Sequence, residues 1–477
     1  MLLSGLLEAL GLPASAADDV VIRHVTRDSR EVRPDSAFVA VVGGSTDGHA
    51  FVAGSEAAVV FAERPVEGHP RVVVVPDTKV VLAQIAAELA GRPAEKLALV
   101  GVTGTNGKTT VTTLAEQMLL AMEVPTGRVG TTGNQVAGVA RKTGFTTPEA
   151  TLLQPLLAEM VAAGTEVALL EVSSIGLAQR RVDAAPFQIG VFTNLTRDHL
   201  DFHGTMEAYS AAKAMLFQRL RPAGGAPRAL LCADDPAHRE MGAPEDAWTY
   251  GFAPGADLHI AVATLSPRGL HLEVDTPHGR AVIDSGQVGR HNAQNLTAAL
   301  GIGLLLGHPV EALCPALGAA AGPPGRLEVV PNDAGLLVLV DYAHSDDALR
   351  TVLPTVTELV DGETWVVFGA GGDRDPGKRP RMAAVAEELA DHVVLTSDNP
   401  RSEDPLAILD ALRAGLSRPP THEDPDREAA IRWTVAHAAP GDAVLIAGKG
   451  HETTQEIAGV RHPFDDRSVA AAALEDR

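Results

Sequence analysis

Cysteine is nearly absent from this 477-residue chain, which has only Cys232 and Cys314. Two thiols so far apart in sequence make neither a disulfide framework nor a zinc site, so a reducing cytoplasm is the expected compartment. Lysine is scarce too, at 7 residues against 32 arginines. That ratio reads as codon bias more than function, but it makes each lysine worth asking about. Positive charge is short overall: 39 Lys and Arg against 61 Asp and Glu give a formal charge of −22. Such a field repels phosphates, which excludes a nucleic-acid or anionic-membrane surface and requires any phosphate ligand to be held locally. No apolar run is long enough to span a bilayer, and Met1-Leu-Leu-Ser-Gly-Leu-Leu-Glu8 lacks the basic start of a secretory leader. A repeat of ~20–50 residues is missing, which excludes solenoids, and no Asn-Lys-x-Asp supports a GTPase. Hydrophobic residues, by contrast, make up 45%, enough to fill sizeable cores. At about 150 residues per domain the length suggests three domains.

The most informative stretch is Leu97-Ala-Leu-Val-Gly-Val-Thr-Gly-Thr-Asn-Gly-Lys-Thr-Thr110. Its apolar run predicts a buried strand, Gly104 and Gly107 a tight loop, and Val111–Leu120 a helix. This is a phosphate cradle: backbone N–H groups and the positive helix end favour a polyanion, Lys108 reaches the β/γ-phosphates, and the Thr109 hydroxyl can ligate Mg²⁺. Strict P-loop spacing puts glycine at position 102, where this chain has Val102. The departure leaves strand, loop and helix intact.

Residues 1–92 predict a small α/β domain. Strands in Asp19–Val25 and Ala37–Val42 lead into Asp28-Ser-Arg30 and Gly43–His49, turns that either line a ligand cleft or lie on the surface. In the nucleotide domain, 93–325, Val167–Glu171 reads as a buried strand with Glu171 at its exit, placed to bind Mg²⁺. Val191–Phe192 opens into a polar loop where His199 is either a metal ligand or simply hydrogen-bonded. Lys213 sits in the nearly all-apolar segment Tyr209–Phe217. The residues alone favour a snorkelling lysine with a wet head; the sharper reading is a desolvated neutral amine able to take up CO₂ as a carbamate. Gly289–Asn295 precedes a helix over Leu296–Leu306, and its amides either reach an adenine or ribose edge or cap that helix. Gly322-Pro-Pro-Gly325 marks a boundary. Beyond it, strands Leu336–Val340, Thr364–Phe368, His392–Thr396 and Ala443–Ala447 each end in a polar or glycine loop. That pattern predicts a parallel sheet with its site at the carboxyl edge, where Arg374 and Arg401 offer forks for carboxylates or phosphates.

Seven stretches, in order, resemble the Mur ligases, the ATP-dependent amino-acid-adding enzymes of peptidoglycan synthesis. They are Thr103–Thr110, Glu171-Val-Ser-Ser174, Asn194–Gly204, Ala211-Ala-Lys213, His291–Asn295, Asp341-Tyr-Ala-His344 and Gly448-Lys-Gly-His-Glu452. The resemblance covers essentially the whole chain. It implies an α/β protein of three domains: a UDP-sugar-binding domain over 1–92, a central P-loop domain with a parallel sheet over 93–325, and a Rossmann-like amino-acid-binding domain over 326–477. ATP is then expected at Gly104, Thr105, Asn106, Gly107, Lys108, Thr109, Thr110 and Asn295. Mg²⁺ is expected at Thr109, Glu171, His199 and a carbamylated Lys213, which reverses the reading of that lysine. Lys108, Lys213 and His199 become the catalytic group. Ser29, Gly44, Ser45 and Thr46 match positions near the uridine, and Thr146, Thr147, Ser173, Gln179 and Arg181 positions around the muramoyl peptide. Arg374, Asp398, Asn399, Pro400, Arg401, Gly448 and Glu452 match the pocket for the incoming amino acid. Ile175, where the family often has histidine, and Ser345-Asp346, where Thr-Pro is commoner, depart from the pattern without removing an expected catalytic group.

The implied reaction is ATP-dependent addition of a diamino acid to the D-glutamate of a UDP-N-acetylmuramoyl dipeptide through an acyl phosphate, with lobe closure excluding water. Arg401 in Asp398-Asn-Pro-Arg401 suits a distal carboxylate and favours meso-diaminopimelate over lysine or ornithine. His199 and His344 are the candidates for the base that frees the amine. A folylpolyglutamate synthetase-like ligase and a non-catalytic nucleotide-gated binding protein are the competing readings. A monomer is expected, with no nucleic acid or membrane partner.

Overall fold

A computed structural model describes residues 1–14, 19–44, 46–141, 143–221 and 228–477. Two compact units make up the chain. One comprises 1–259, 275–279 and 295–316, and the other 260–274, 280–294 and 317–477.

The first unit holds two parallel arrangements. Strands His24–Thr26, Ser36–Val39, Val59–Ala62 and Val72–Val74 pair in sequence order, all parallel. The middle two are buried at every position, as strands covered on both faces must be. Helix Thr78–Leu89 packs Val81, Leu82, Ile85 and Ala86 into the core beneath them. In the second arrangement Ala98–Thr103 is central, flanked in parallel by Ile189–Phe192 and Val167–Glu171. Ala229–Cys232 and Trp248–Gly251 extend one side, and Thr126–Val129 the other. The chain leaves Ala98–Thr103 for Thr126–Val129 on one side, returns to Val167–Glu171 and then crosses to Ile189–Phe192 on the other, so the carboxyl end of Ala98–Thr103 is a topological switch point, where open α/β sheets bind ligands. The expected strand and the helix after it are both present, the helix running Lys108–Ala121.

The second unit contains a six-stranded sheet. Its four longer strands, Leu337–Asp341, Ala443–Ala447, Thr364–Phe368 and His392–Leu395, lie in that spatial order and are mutually parallel, as the sequence predicted. Two edges escaped the sequence reading: Glu328–Val330, antiparallel, and His422–Glu423. A separate hairpin, Thr454–Ile457 with Val460–Pro463, follows the last parallel strand. No helix among the described residues is long and apolar enough to cross a membrane. Cys232 and Cys314 form no disulfide, and burial pushes the Cys232 thiol up to about 11.

Candidate active site

The phosphate loop is held by close backbone approach. Gly104 has φ +151°, and a Cβ there would lie 1.8 Å from Thr193 Oγ1; Gly107 has φ +85°, and a Cβ would meet Asn295 Oδ1 at 2.6 Å. Only glycine fits either position. Val102, where a strict P-loop has glycine, is a fully buried strand residue, so its side chain serves the core. A strap from the neighbouring strand fixes the loop: Thr193 Oγ1 donates to Asn106 O at 2.6 Å, and Asn194 Oδ1 accepts from Asn106 N at 2.8 Å. Lys108 Nζ donates to Gly104 O and Thr105 O, each at 2.8 Å, so its ammonium sits over the loop. Asn295 lies within helix Arg290–Leu305, not ahead of the helix as predicted, and therefore does not cap it. Gly289, at φ +88°, sets that start.

Thr109 Oγ1 donates to Glu171 Oε2 at 2.8 Å. Glu171 also accepts from Thr131 N at 2.9 Å and Thr131 Oγ1 at 3.0 Å, which holds the buried carboxylate at its strand exit. A Cβ on Gly130 would lie 2.1 Å from Glu171 Oε1. Thr131 was missed because nothing local in its sequence points to a contact 40 residues away.

Lys213 does not snorkel. It is 1% exposed, on helix Met206–Ala214, with Nζ 4.2 Å from the centroid of Tyr209 one turn earlier. Burial pushes its pKa well below the usual lysine value, and the charge of Lys108 adds to the shift. Tyr209 Oη bonds Thr105 Oγ1 at 3.1 Å, tying this helix to the phosphate loop. His199 is left-handed at φ 52° and half-exposed, its ring edge-on to Tyr209 at 6.2 Å and Nε2 3.5 Å from Asp198 Oδ2. Thr109 and Glu171 thus form one contact group, and Lys213, Tyr209 and His199 another. Among the described residues no cluster of three or more His, Cys, Asp or Glu could hold a metal.

Four of the five residues expected at the muramoyl peptide gather beyond Glu171. Thr146 Oγ1 bonds Thr131 Oγ1 at 3.0 Å, Thr147 Oγ1 donates to Glu171 O at 2.8 Å and accepts from Ser173 N at 2.9 Å, and Arg181 donates to Thr147 O at 2.9 Å. Glu149 pairs with both Arg181 and Arg27, two partners the sequence did not reveal. Gln179 closes the short helix Ser174–Ala178, which also holds Ile175. Ser29 begins a turn capped by Asp28, whose carboxyl is held down at about 2 by the Arg30 guanidinium. Gly44 and Thr46 lie in a turn closed by Gly43 N donating to Thr46 O at 2.9 Å. Ser45 is outside the described residues.

In the second unit the residues expected around the amino acid meet at the carboxyl ends of adjacent strands. Gly448, at φ +118°, leaves room for Asp398, whose Oδ2 would be 2.6 Å from a Cβ. Asn399 Nδ2 donates to Asp398 Oδ1 at 2.9 Å and to Glu452 Oε2 at 2.8 Å. Arg401, at φ 53°, donates from its guanidinium to Gly372 O at 2.5 Å and from its backbone to Glu456 O at 3.0 Å. Pro400 is buried, and Arg374 flanks Gly371 together with Arg401. His344 Nδ1 donates to Tyr342 O at 2.8 Å, leaving Nε2 as the acceptor nitrogen. Ser345 caps helix Asp346–Thr357 through Ala348 N, the capping role a threonine would also fill.

Residues 102–303 match the model of the Mur ligase middle domain, and residues 325–450 that of the Mur ligase glutamate ligase domain. A protein of Gloeobacter violaceus named UDP-N-acetylmuramoyl-L-alanyl-D-glutamate–2,6-diaminopimelate ligase is 45% identical, over 100% of this chain and 99% of its own. Its namesake in Geobacillus kaustophilus is 43% identical over 94% of both chains. A solved structure of an enzyme with the same name superposes with TM-score 0.75 at 35% identity, covering 100% of this chain and 99% of its own. Two family models that together span most of the chain, and relatives 43–45% identical over nearly all of it, show that the chain belongs to the Mur ligase family.

Proposed function

We propose that this protein is the ATP-dependent ligase that joins 2,6-diaminopimelate to the D-glutamate of a UDP-N-acetylmuramoyl-L-Ala-D-Glu precursor, with its domains divided at 1–92, 93–325 and 326–477. The full-length relatives bearing that name support the reaction. The observation that carries it here is the sheet edge where Arg401, Arg374, Asp398 and Glu452 converge. A diamino dicarboxylic acid offers ammonium and carboxylate groups at both ends, and this edge offers partners for each.

ATP would lie at the loop around Gly104 and Gly107, two positions packed so closely against Thr193 and Asn295 that only glycine is accommodated. Backbone amides and Lys108 would face its phosphates. The hydroxyl and carboxylate of Thr109 and Glu171 are hard oxygen donors suited to Mg²⁺, with His199 and a carbamate on Lys213 completing the proposed set. Mg²⁺ bound there would offset charge building on phosphate oxygens. Burial of Lys213 beside Lys108 pushes its pKa well below the usual lysine value and so favours the neutral amine, the form that reacts with CO₂.

The D-glutamate γ-carboxylate attacks the γ-phosphorus of ATP, forming an acyl phosphate and releasing ADP. Lys108 stabilises the transferring group. The neutral amine of diaminopimelate then attacks the acyl carbon, and the tetrahedral intermediate collapses with loss of phosphate. His344, whose Nε2 can accept a proton, and His199 are the proposed bases.

Phosphate release measured with ATP, the UDP-muramoyl dipeptide and a panel of diamino acids tests this reading. Release with diaminopimelate and little with lysine or ornithine is expected. Release with lysine or ornithine alone would reassign the amino acid, and ATP binding without release under any condition would leave only a nucleotide-gated binding protein.

A further inference from the structure

Lys449 is completely buried, and no role described above uses it. An ammonium out of water must be paired and hydrogen-bonded, and Lys449 Nζ directs its three protons at three acceptors. It donates to Asn399 Oδ1 at 3.1 Å, to Glu452 Oε2 at 3.1 Å and to Thr454 O at 2.8 Å. The first acceptor belongs to the Asp398–Arg401 loop, the second to the Gly448–Glu452 loop and the third to the hairpin that follows.

Asn399 is equally committed. Its Nδ2 donates to Asp398 and Glu452, while its Oδ1 accepts from Lys449 and from Glu456 N at 3.0 Å. Both amide donors and both lone pairs are used within the protein, so Asn399 orients its neighbours and has no capacity left for a ligand. Asp398 Oδ2 and Glu452 Oε1, by contrast, accept no hydrogen bond among the described residues. The network leaves one oxygen of each carboxylate open and fixes the other.

We propose that Lys449 is a positioning residue for the amino-acid substrate: by binding Asn399, Glu452 and Thr454 together it sets the separation and aim of the Asp398 and Glu452 carboxylates. This rests on the assignment of this sheet edge to the diamino acid. Removing the ammonium keeps both carboxylates on the chain but frees their loops to move apart. Misplacement of a binding group by about 1 Å costs large factors in turnover of the affected substrate, and the loss should fall on that substrate alone.

The test compares the full-length parent with K449M. In K449M, KM for diaminopimelate is expected to rise about tenfold or more, with KM for ATP and for the UDP-muramoyl dipeptide within about twofold of the parent. Amide exchange over 397–402, measured without substrate, is expected to be faster by about tenfold or more because local opening costs less. Exchange needs no assumption about the reaction, so an inactive parent would sink the functional reading while leaving the brace itself on trial. Unchanged exchange and an unchanged diaminopimelate KM in folded K449M would overturn the proposal, as would equal rises in all three KM values. Should K449M fail to fold, K449Q is judged by the same criteria. Failure of both to fold would make Lys449 an element of the fold and end the proposal.

Discussion

The ammonium nitrogen of Lys213 lies 4.2 Å from the ring centroid of Tyr209, one helical turn before it, inside a site with almost no access to water. A ring face is a weak partner for a full charge compared with a carboxylate, and burial therefore pushes the pKa of the amine well below the usual lysine value, which favours its neutral form. If its purpose is to carry a carbamate, Lys213→Ala should lower phosphate release by at least roughly 10–100-fold, the range for losing even a group that only supports a metal's ligands. Millimolar formate or acetate should restore part of the rate by replacing the missing carboxylate. Activity equal to the parent's would refute the role.

The same burial makes a statement about stability. Since the native pKa of Lys213 is depressed below the unfolded value, the unfolded chain binds more protons between the two, and the native state gains stability as pH rises through that window. In CO₂-free buffer, Lys213→Met should thus be more stable than the parent at neutral pH. The advantage should shrink as pH approaches the ordinary lysine value. Urea midpoints at several pH values read this directly, and a gap that does not narrow would contradict it.

Gly104 is confined by Thr193 and by its own backbone. Gly104→Ala must push Thr193 aside and so break its bonds to Asn106 and the strand. We expect phosphate release to fall roughly a hundredfold or more from loop displacement, with a stability cost of about 1–3 kcal/mol. Titration with a fluorescent ATP analogue separates loss of nucleotide binding from slower chemistry.

Arg427 and Asp466 form a completely buried pair at 2.7 Å, and Arg427 also donates to Ser397 O and Ala447 O, the residues just before the two loops proposed to hold the amino acid. Removing one partner leaves an uncompensated charge. Arg427→Met should destabilise the protein by about 3–5 kcal/mol, and Arg427→Met with Asp466→Leu should recover much of that loss. A double variant no more stable than the single one would show that the two carbonyls, more than the ion pair, need the guanidinium.

Much of this site can be read without coordinates, because its parts are local. The apolar run before Gly104 is a strand, the run before Asp398 another, and each chemical group stands where a strand ends. What could not be read is tertiary. Polar residues crowd Gly289–Asn295 and set the expected helix start after Asn295, yet the helix begins at Arg290 and the Asn295 amide rests against Gly107. Tyr209 stood four residues from Lys213, the spacing of one helix face, and that clue was available. The contact between Lys449 and Asn399 spans 50 residues, and no periodicity reports it. Edge strands of two and three residues, His422–Glu423 and Glu328–Val330, are too short to carry an alternating pattern.

The parallel sheet of the second unit stores its stability in backbone pairing and in side chains facing the core, while the groups proposed to meet an amino acid lie in the loops that follow its strands. Structural and selective duties therefore fall on different stretches of chain. A lineage needing another building block for its wall could rewrite these loops and leave the scaffold beneath them as it is.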